Sequence, residues 1–279
     1  MIQDIETNKL FLADCLETKQ PKFFQRFERV LSECYIQHQF LPNAKDIWAV
    51  DYMPIQISKD KFIQFTYNPD YLNTPYYQKT ISNVDFICKE IGIETIKSKL
   101  IIDGGNIVKC QNKVIMTDKV FNENKNLSKN EIIKQLIELF EIEELIFIPW
   151  DNINDEIGHA DGMVRFINED TILINDYSIE DEKFQYDFRL AIDKARLNVV
   201  ELPYNPVLKQ NSISATGIYI NYLQMEQAIL LPIFNSKQDD IAFKVIEECF
   251  KEKIIKTIES NELAKEGGIL NCITWNILD

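Results

Sequence analysis

Short apolar runs and helically spaced apolar positions alternate along this chain, and their order repeats. One unit reads as a strand over Ile107–Cys110, a strand over Lys113–Thr117, a helix over Lys129–Phe140 and a strand over Leu145–Pro149. Its helix is well marked. Ser128 and Glu131 have the spacing of a capping box, and Ile132, Ile133, Leu136, Ile137 and Phe140 form one apolar face. The same order recurs downstream as Met163–Ile167, Thr171–Asn175, a helix over Tyr186–Arg196 and Asn198–Leu202. It recurs again as Ile218–Met225, Ala228–Phe234, a helix over Ile241–Lys251 and Ile254–Ile258. An upstream unit fits Trp48–Ile57, Lys61–Tyr67, a helix over Ser82–Ile91 and Thr95–Ile102.

Second strands thus begin at Lys61, Lys113, Thr171 and Ala228, a period of roughly 50 to 60 residues, as in repeat architectures such as propellers. The ends of the chain carry parts of a fifth unit: a strand over Lys9–Ala13 and a helix over Phe23–Ile36 at one end, a strand over Ile273–Ile277 at the other. Joining them would close a ring and leave no exposed sheet edge between its ends. The competing architecture is a plain α/β alternation with one parallel sheet, against which the paired short strands argue. No Pro- or Ser-rich linker divides the chain, so residues 1–279 are expected to form a single domain.

Composition narrows the function classes. A net charge of −14 and a pI near 4.7 argue against a nucleic-acid partner. The six cysteines, Cys15, Cys34, Cys88, Cys110, Cys249 and Cys272, show no paired or metal-ligand spacing and are expected to be free thiols of a reducing compartment. The first residues have neither a basic region nor an apolar signal core, and no apolar run reaches the ~18 residues of a membrane span. A cytoplasmic protein is expected.

The chemistry concentrates in four segments. Gly158-His159-Ala160-Asp161-Gly162 holds one of only two histidines in the chain. In an extended segment His159 and Asp161 would project to the same side, a base beside a carboxylate. The others are Trp48-Ala49-Val50-Asp51-Tyr52-Met53-Pro54, Asp103-Gly104-Gly105-Asn106 and Gly267-Gly268-Ile269-Leu270-Asn271-Cys272-Ile273-Thr274-Trp275. Asp51, Asp103 and Asp161 each stand ten residues ahead of a second strand, at Lys61, Lys113 and Thr171. In a pseudo-symmetric ring equivalent positions surround one axis, so three carboxylates should converge on a central pocket. Clustered acids need a cation. A metal held by Asp51, Asp103, His159 and Asp161 is one solution, and a planar guanidinium gripped by two carboxylates is the other. Cys272 favours the second, because a hard-cation site has no use for a thiol, whereas guanidine chemistry needs a strong nucleophile.

Taken in order, these segments resemble the agmatine deiminase and bacterial peptidylarginine deiminase family of guanidine-modifying enzymes, over about Asp46 to Trp275. Thr117-Asp118-Lys119 and Asn124-Lys125-Asn126-Leu127-Ser128 also look like that family. The resemblance implies a five-bladed α/β propeller (pentein fold) of ββαβ units. It also implies a hydrolase that converts a guanidine to a ureido product and ammonia, with no metal and no cofactor. On it, Cys272 is the nucleophile, His159 the general acid and base, and Asp51 and Asp161 the acids that hold the guanidinium. Asp103 matches an acid that is usually glutamate, and it joins Trp48 and Asn106 as candidate substrate-binding residues. Agmatine is the best-matched substrate, then free or peptidyl arginine, and a homo-oligomer is possible. The sequence departs from the pattern at Val50, where arginine is common, at Asn271, where histidine is common, and at Ile269, where a third glycine is common.

Plainer roles compete at each position. Trp48 and Trp150 fit packing as well as a pocket wall, Gly104 and Gly105 fit a turn, and His38 fits a surface or helix-end residue. The other five cysteines read as core, and Asp239 as an ordinary surface acid. Competing functions are an amidinotransferase, a propeller that binds a cationic ligand without turnover, and a papain-type cysteine hydrolase.

Overall fold

The computed structural model describes residues 1–151, 155–206 and 213–279. Strands β1 (Lys9–Ala13) and β2 (His38–Leu41) come first, then β3 (Ile55–Ser58), β4 (Lys61–Thr66) and β5 (Thr95–Ile101). They are followed by β6 (Val108–Cys110), β7 (Lys113–Thr117) and β8 (Glu144–Ile148), and by β9 (Val164–Asn168), β10 (Thr171–Asn175) and β11 (Asn198–Leu202). The last are β12 (Leu223–Gln224), β13 (Ala228–Ile233), β14 (Ile254–Glu259) and β15 (Thr274–Ile277). These strands form five separate three-stranded sheets, β3-β4-β5, β6-β7-β8, β9-β10-β11, β12-β13-β14 and β15-β1-β2. A plain alternation around one parallel sheet is therefore excluded.

Every sheet repeats one pattern. Its first strand runs antiparallel to the middle strand, joined to it by a tight hairpin in the four sheets built from consecutive strands, and its third returns parallel after a helix. The crossover helices are Pro21–Glu33, Val84–Glu90, Lys129–Phe140, Glu182–Lys194 and Asp239–Cys249. A parallel return needs such a crossover because no tight turn can reverse a strand and restore its direction. The fifth sheet is made from both ends of the chain, with Leu12 opposite Thr274 and Phe11 opposite Trp275. This pairing closes the ring and carries the segment before β15 to its site.

Burial explains why the middle strands were legible. Along β1, β7, β10 and β13 every residue except one terminal position is buried, so they read as unbroken apolar runs. The third strands lie outermost and alternate or are largely exposed. All four expected second-strand starts, at Lys61, Lys113, Thr171 and Ala228, are the observed ones. The Lys129–Phe140 helix has both halves of its capping box, and it buries Ile132, Leu136 and Phe140.

Other expectations needed correction. Trp48–Ile57 is not one strand: residues Ala49–Tyr52 form a helical turn, and pairing starts at Ile55. Of Ile218–Met225 only Leu223–Gln224 pairs as a strand, with Ile218 bridged to Tyr204 instead. The fourth crossover helix starts at Glu182, where the Asp181 side chain caps it, four residues ahead of the expected Tyr186. His38 opens β2, its ring edge-on to Phe24 and Phe40. Asp239 is no idle surface acid, because it accepts from Tyr219 Oη and from the amides of Phe234 and Ser236. The six cysteines are free, as expected. No helix among the described residues is long and apolar enough to cross a membrane.

Candidate active site

The turn that leads into the first strand of each blade contributes to one cluster. Asp51 lies in the helical turn ahead of β3, Asp103 immediately precedes the 3-10 turn Gly104–Asn106 ahead of β6, and His159 and Asp161 flank Ala160 ahead of β9. Asn221 precedes β12 and Cys272 precedes β15. Repetition of the blade thus brings five sequence-distant turns together.

His159 sits between two carboxylates. Its Nε2 is 2.8 Å from Asp103 Oδ2, and its Nδ1 is 3.3 Å from Asp51 Oδ1. Asp103 Oδ2 also accepts from Tyr71 Oη at 2.7 Å, while Asp103 Oδ1 is buried with no hydrogen-bond partner among the described residues. Asp51 Oδ1 accepts from the Gly105 amide at 3.2 Å. Gly105 is obligatory here, since a Cβ would sit 2.6 Å from Asp51 Oδ1 and 2.7 Å from His159 Nδ1. Its neighbour Gly104 packs on the Val50 carbonyl, 2.0 Å from where a Cβ would stand.

His159 and Asp161 do not form the side-by-side pair expected of an extended segment. A 3-10 turn over Ala160–Gly162 replaces the extended backbone, and the histidine takes its hydrogen-bond partners from other blades. Asp161 turns to the last segment instead: its Oδ2 accepts from Asn271 Nδ2 at 2.7 Å and lies 3.8 Å from Cys272 Sγ. Asn221 Oδ1 lies 3.4 Å from the same sulfur and accepts from the backbone amides of Asn271 and Cys272 at 3.1 and 3.4 Å. The Val50 amide donates to the Cys272 carbonyl, fastening the turn of Asp51 to the turn of the cysteine. Gly268 lets Trp48 lie against this turn, because a Cβ there would be 2.4 Å from the indole ring and 3.0 Å from Cys272 Cβ.

Asn106 faces inward from the same turn as Asp103, but its amide oxygen accepts from the Thr117 amide at 2.8 Å and lies 3.0 Å from Thr117 Oγ1. Thr117 Oγ1 in turn donates to the Gly158 carbonyl at 2.6 Å. Lys119, 3% exposed, donates to the carbonyls of Glu156 and Ile157 and lies over the rings of Tyr71 and Trp150. The segment ahead of His159 is therefore lashed down by Thr117 and Lys119, and Asn106 belongs to the same lashing. The remainder of the loop, residues 152–154, lies outside the described residues.

Charge in the cluster is unbalanced. Burial disfavours an ionised Asp51 and the neighbouring Asp103 and Asp161 add to this, so that despite His159 its carboxyl is pushed up to about 8. Burial also works against an imidazolium at His159, but Asp51 and Asp103 outweigh it and hold the ring protonated up to about 9. Asp161 is raised mainly by burial. At Cys272 burial, then Asp161 and Asp51, push the thiol well above its ordinary value. Among the described residues no group of three or more His, Cys, Asp and Glu side chains is arranged to hold a metal ion.

Residues 6–277 match the family model of the Porphyromonas-type peptidyl-arginine deiminases. The chain belongs to that family. A "Putative agmatine deiminase" of Mycoplasma mycoides subsp. mycoides is 26% identical over 219 residues, 67% of this chain and 60% of its own length. The match thus spans about three fifths of this curated relative. An agmatine deiminase of C. jejuni, solved with substrate bound, superposes with a TM-score of 0.80 at 20% identity, covering 100% of this chain and 96% of that one. DDAH from Pseudomonas aeruginosa, complexed with citrulline, gives a TM-score of 0.60 at 10% identity over 98% and 100% of the two chains. The five-bladed pentein propeller is the shared fold.

Asn221, Tyr71 and Arg165 were absent from the expected site. Counting ten back from Ala228 lands on Ile218, because β12 is only the pair Leu223–Gln224 and starts directly after the Asn221 turn, so this turn stands closer to its second strand than the others do. The fourth leading turn still offered the signal, since every other blade placed a polar residue there.

Proposed function

We propose that this chain is a deiminase that hydrolyses the C–N bond of a cationic guanidine through a covalent adduct on Cys272. The observation that carries the reading is the gathering of acids around a partly exposed cysteine. Three buried acids, Asp51, Asp103 and Asp161, surround one imidazole, and neither the Asp51 carboxyl nor the thiol beside them ionises readily without a further cation. A guanidinium supplies the missing positive charge and five N–H donors for the acceptors that line the pocket.

The steps follow from the atoms present. A cation seated between Asp51 and Asp161 lowers the Cys272 thiol, and its Sγ then attacks the guanidinium carbon. The C–N bond to one terminal nitrogen breaks as His159 delivers its proton, releasing ammonia and leaving an S-linked amidino group. His159, now neutral, takes a proton from water, the resulting hydroxide adds to the same carbon and the C–S bond breaks. The thiol is restored and a ureido product leaves. Asp103, with Tyr71, fixes the imidazole ring, while Asp51 serves both the ring and the cation. Trp48 walls the pocket beside Gly268, and Asn106 acts through Thr117 on the approach to His159.

Agmatine, giving N-carbamoylputrescine, is the substrate that the relatives' names favour, with free and peptidyl arginine next. The test is ammonia release from the three, with and without an amine acceptor, and mass spectrometry of the protein with a slow substrate. An adduct confined to Cys272 and acceptor-independent ammonia are expected. Acceptor-dependent turnover would make the protein an amidinotransferase, and ammonia release without any adduct would remove the covalent route.

A further inference from the structure

Away from the pocket, Asp161 is backed by a chain of side chains that no direct contact with substrate requires. Arg165, on β9, is 3% exposed. Its Nη2 donates to Asp4 Oδ2 at 2.9 Å, its Nη1 donates to Asn271 Oδ1 at 2.8 Å, and the Tyr222 ring lies 5.0 Å from its guanidinium carbon. Asn271 then donates from Nδ2 to Asp161 Oδ2, the oxygen nearest the cysteine sulfur. A guanidinium has only donors and a carboxylate only acceptors, so the amide between them has a single satisfied orientation. Flipping it would set N–H against N–H on one side and oxygen against oxygen on the other.

We infer that Arg165 and Asn271 are positioning residues that fix the Asp161 carboxylate and keep it an acceptor beside Cys272. The positive polarity of a guanidinium that is itself neutralised by Asp4 reaches Asp161 through one polarised amide. The link places a sharp demand on position 271, whose side chain must accept from Arg165 and donate to Asp161 at once. Asparagine does both, and so does a neutral histidine, with one bare and one protonated ring nitrogen. Leucine does neither, and aspartate would face Asp161 with a second carboxylate.

The inference rests on the proposed function only where it says that Asp161 meets a cation, and the test separates the two. Cys272 is alkylated with chloroacetamidine, which is cationic, and with chloroacetamide, which is neutral, across a range of pH, and the product is read by intact mass. In both reactions the sulfur displaces chloride from carbon. The groups facing Asp161 are His159 and Asp51 within the pocket, Cys272 beside it and Arg165 behind. When the Asn271 N–H is lost, Asp161 takes up a proton more readily and its push on the Cys272 thiol weakens.

Wild type is expected to prefer the amidine by at least about tenfold, as for a charge-assisted contact. Asn271→Leu should lose that preference, and its rate with chloroacetamide should rise at a lower pH than in wild type. Asn271→His should recover the preference where the imidazole is neutral and lose it at acid pH. If Asn271→Leu fails to melt cooperatively, the smaller Asn271→Ala, which neither donates nor accepts, carries the same expectation for the amidine. A leucine or alanine variant that keeps both the preference and the chloroacetamide profile overturns the inference, as does a histidine variant no better than leucine. A wild type with no amidine preference overturns the proposed function instead, and the chloroacetamide profile alone then decides the role of Asn271.

Discussion

His159 and Cys272 sit against different members of one acid cluster, with opposite chemical consequences. The imidazole has a carboxylate on each ring nitrogen, Asp51 and Asp103, and holds its proton up to about 9. The sulfur has one carboxylate, Asp161, and an amide oxygen, Asn221, near it, and it too holds its proton. For the imidazole, neighbouring acids stabilise the cation. For the thiol they oppose the anion. Both groups therefore rest protonated in the ligand-free site. The difference teaches that one acid cluster can hold a base charged and a thiol neutral, and under the function proposed above the charge of a cationic substrate is what would complete the pocket.

The largest expected effect breaks the comparison on the cysteine side. Cys272→Ala and Cys272→Ser should abolish ammonia release while leaving the melting temperature nearly unchanged, because the side chain is partly exposed and small. Retained turnover would falsify the covalent mechanism.

On the histidine side, Gly105→Ala is the sharpest perturbation. A methyl group 2.6 Å from Asp51 Oδ1 and 2.7 Å from His159 Nδ1 must drive the two apart. Activity should fall toward the ~10²–10⁴-fold range that a positioned proton-transfer group contributes. A crystal structure of the variant with the pair undisturbed and activity intact would show that the close approach has no role.

Asp51→Asn and Asp161→Asn keep size but remove charge and present N–H groups to a ligand made of donors. At about 1.5–3 kcal/mol for each charge-assisted contact, kcat/KM should fall by roughly 10- to 150-fold. Asp60→Asn, at the exposed β3–β4 turn, is the control and should change little. Equal kcat/KM in all three variants would place the substrate elsewhere.

A pH series sharpens the comparison without mutation. Asp51 and His159 both bind their protons more tightly folded than unfolded, where they titrate near 3.9 and 6.5. The His159 contribution to stability is fully present below about 6.5 and is lost as pH rises through about 9. The Asp51 contribution declines as pH rises from about 4 to about 8. Both signs make the ligand-free protein less stable toward alkaline pH. A bound guanidine neutralises the same acids, so its thermal stabilisation should grow between pH 6 and 9. A ligand-induced melting shift that is flat or shrinking over that range would contradict the charge assignment.

Tyr71→Phe is the mildest test. It removes one hydrogen bond to Asp103, about 0.5–1.5 kcal/mol, and should lower kcat a few-fold through a looser imidazole with little effect on KM. An unchanged kcat would mean that Asp103 holds the ring unaided.

Much of this was legible in one dimension. The middle strands that start at Lys113, Thr171 and Ala228 are buried on both faces and appeared as apolar runs, and with the half-buried strand at Lys61 all four starts could be read to the residue. Fixed offsets from three of them picked out Asp51, Asp103 and Asp161 before any contact was known. The glycines beside His159 and Cys272 singled out those segments for a reason that the structure shares, since these turns leave no space for a Cβ at Gly158 or Gly268. The outer strands were harder, being short and half exposed. The Trp48–Tyr52 turn was misread because an apolar, aromatic run has no period that separates a strand from one turn of helix.

What the sequence by itself determined is the repeat, the closure of the ring through its two ends, and the residue types gathered at its centre. Those are local properties of spacing and composition. Which acid serves which partner was decided by tertiary structure alone. His159 and Asp161 are two residues apart, yet the 3-10 turn between them sends the histidine to Asp51 and Asp103 and the acid to Asn271 and Cys272. Asn221, Tyr71 and Arg165 gain their roles only when turns from different blades meet. Hydrogen-bond partners and shifted protonation depend on distances of a few ångströms across the ring, and no spacing along the chain encodes those.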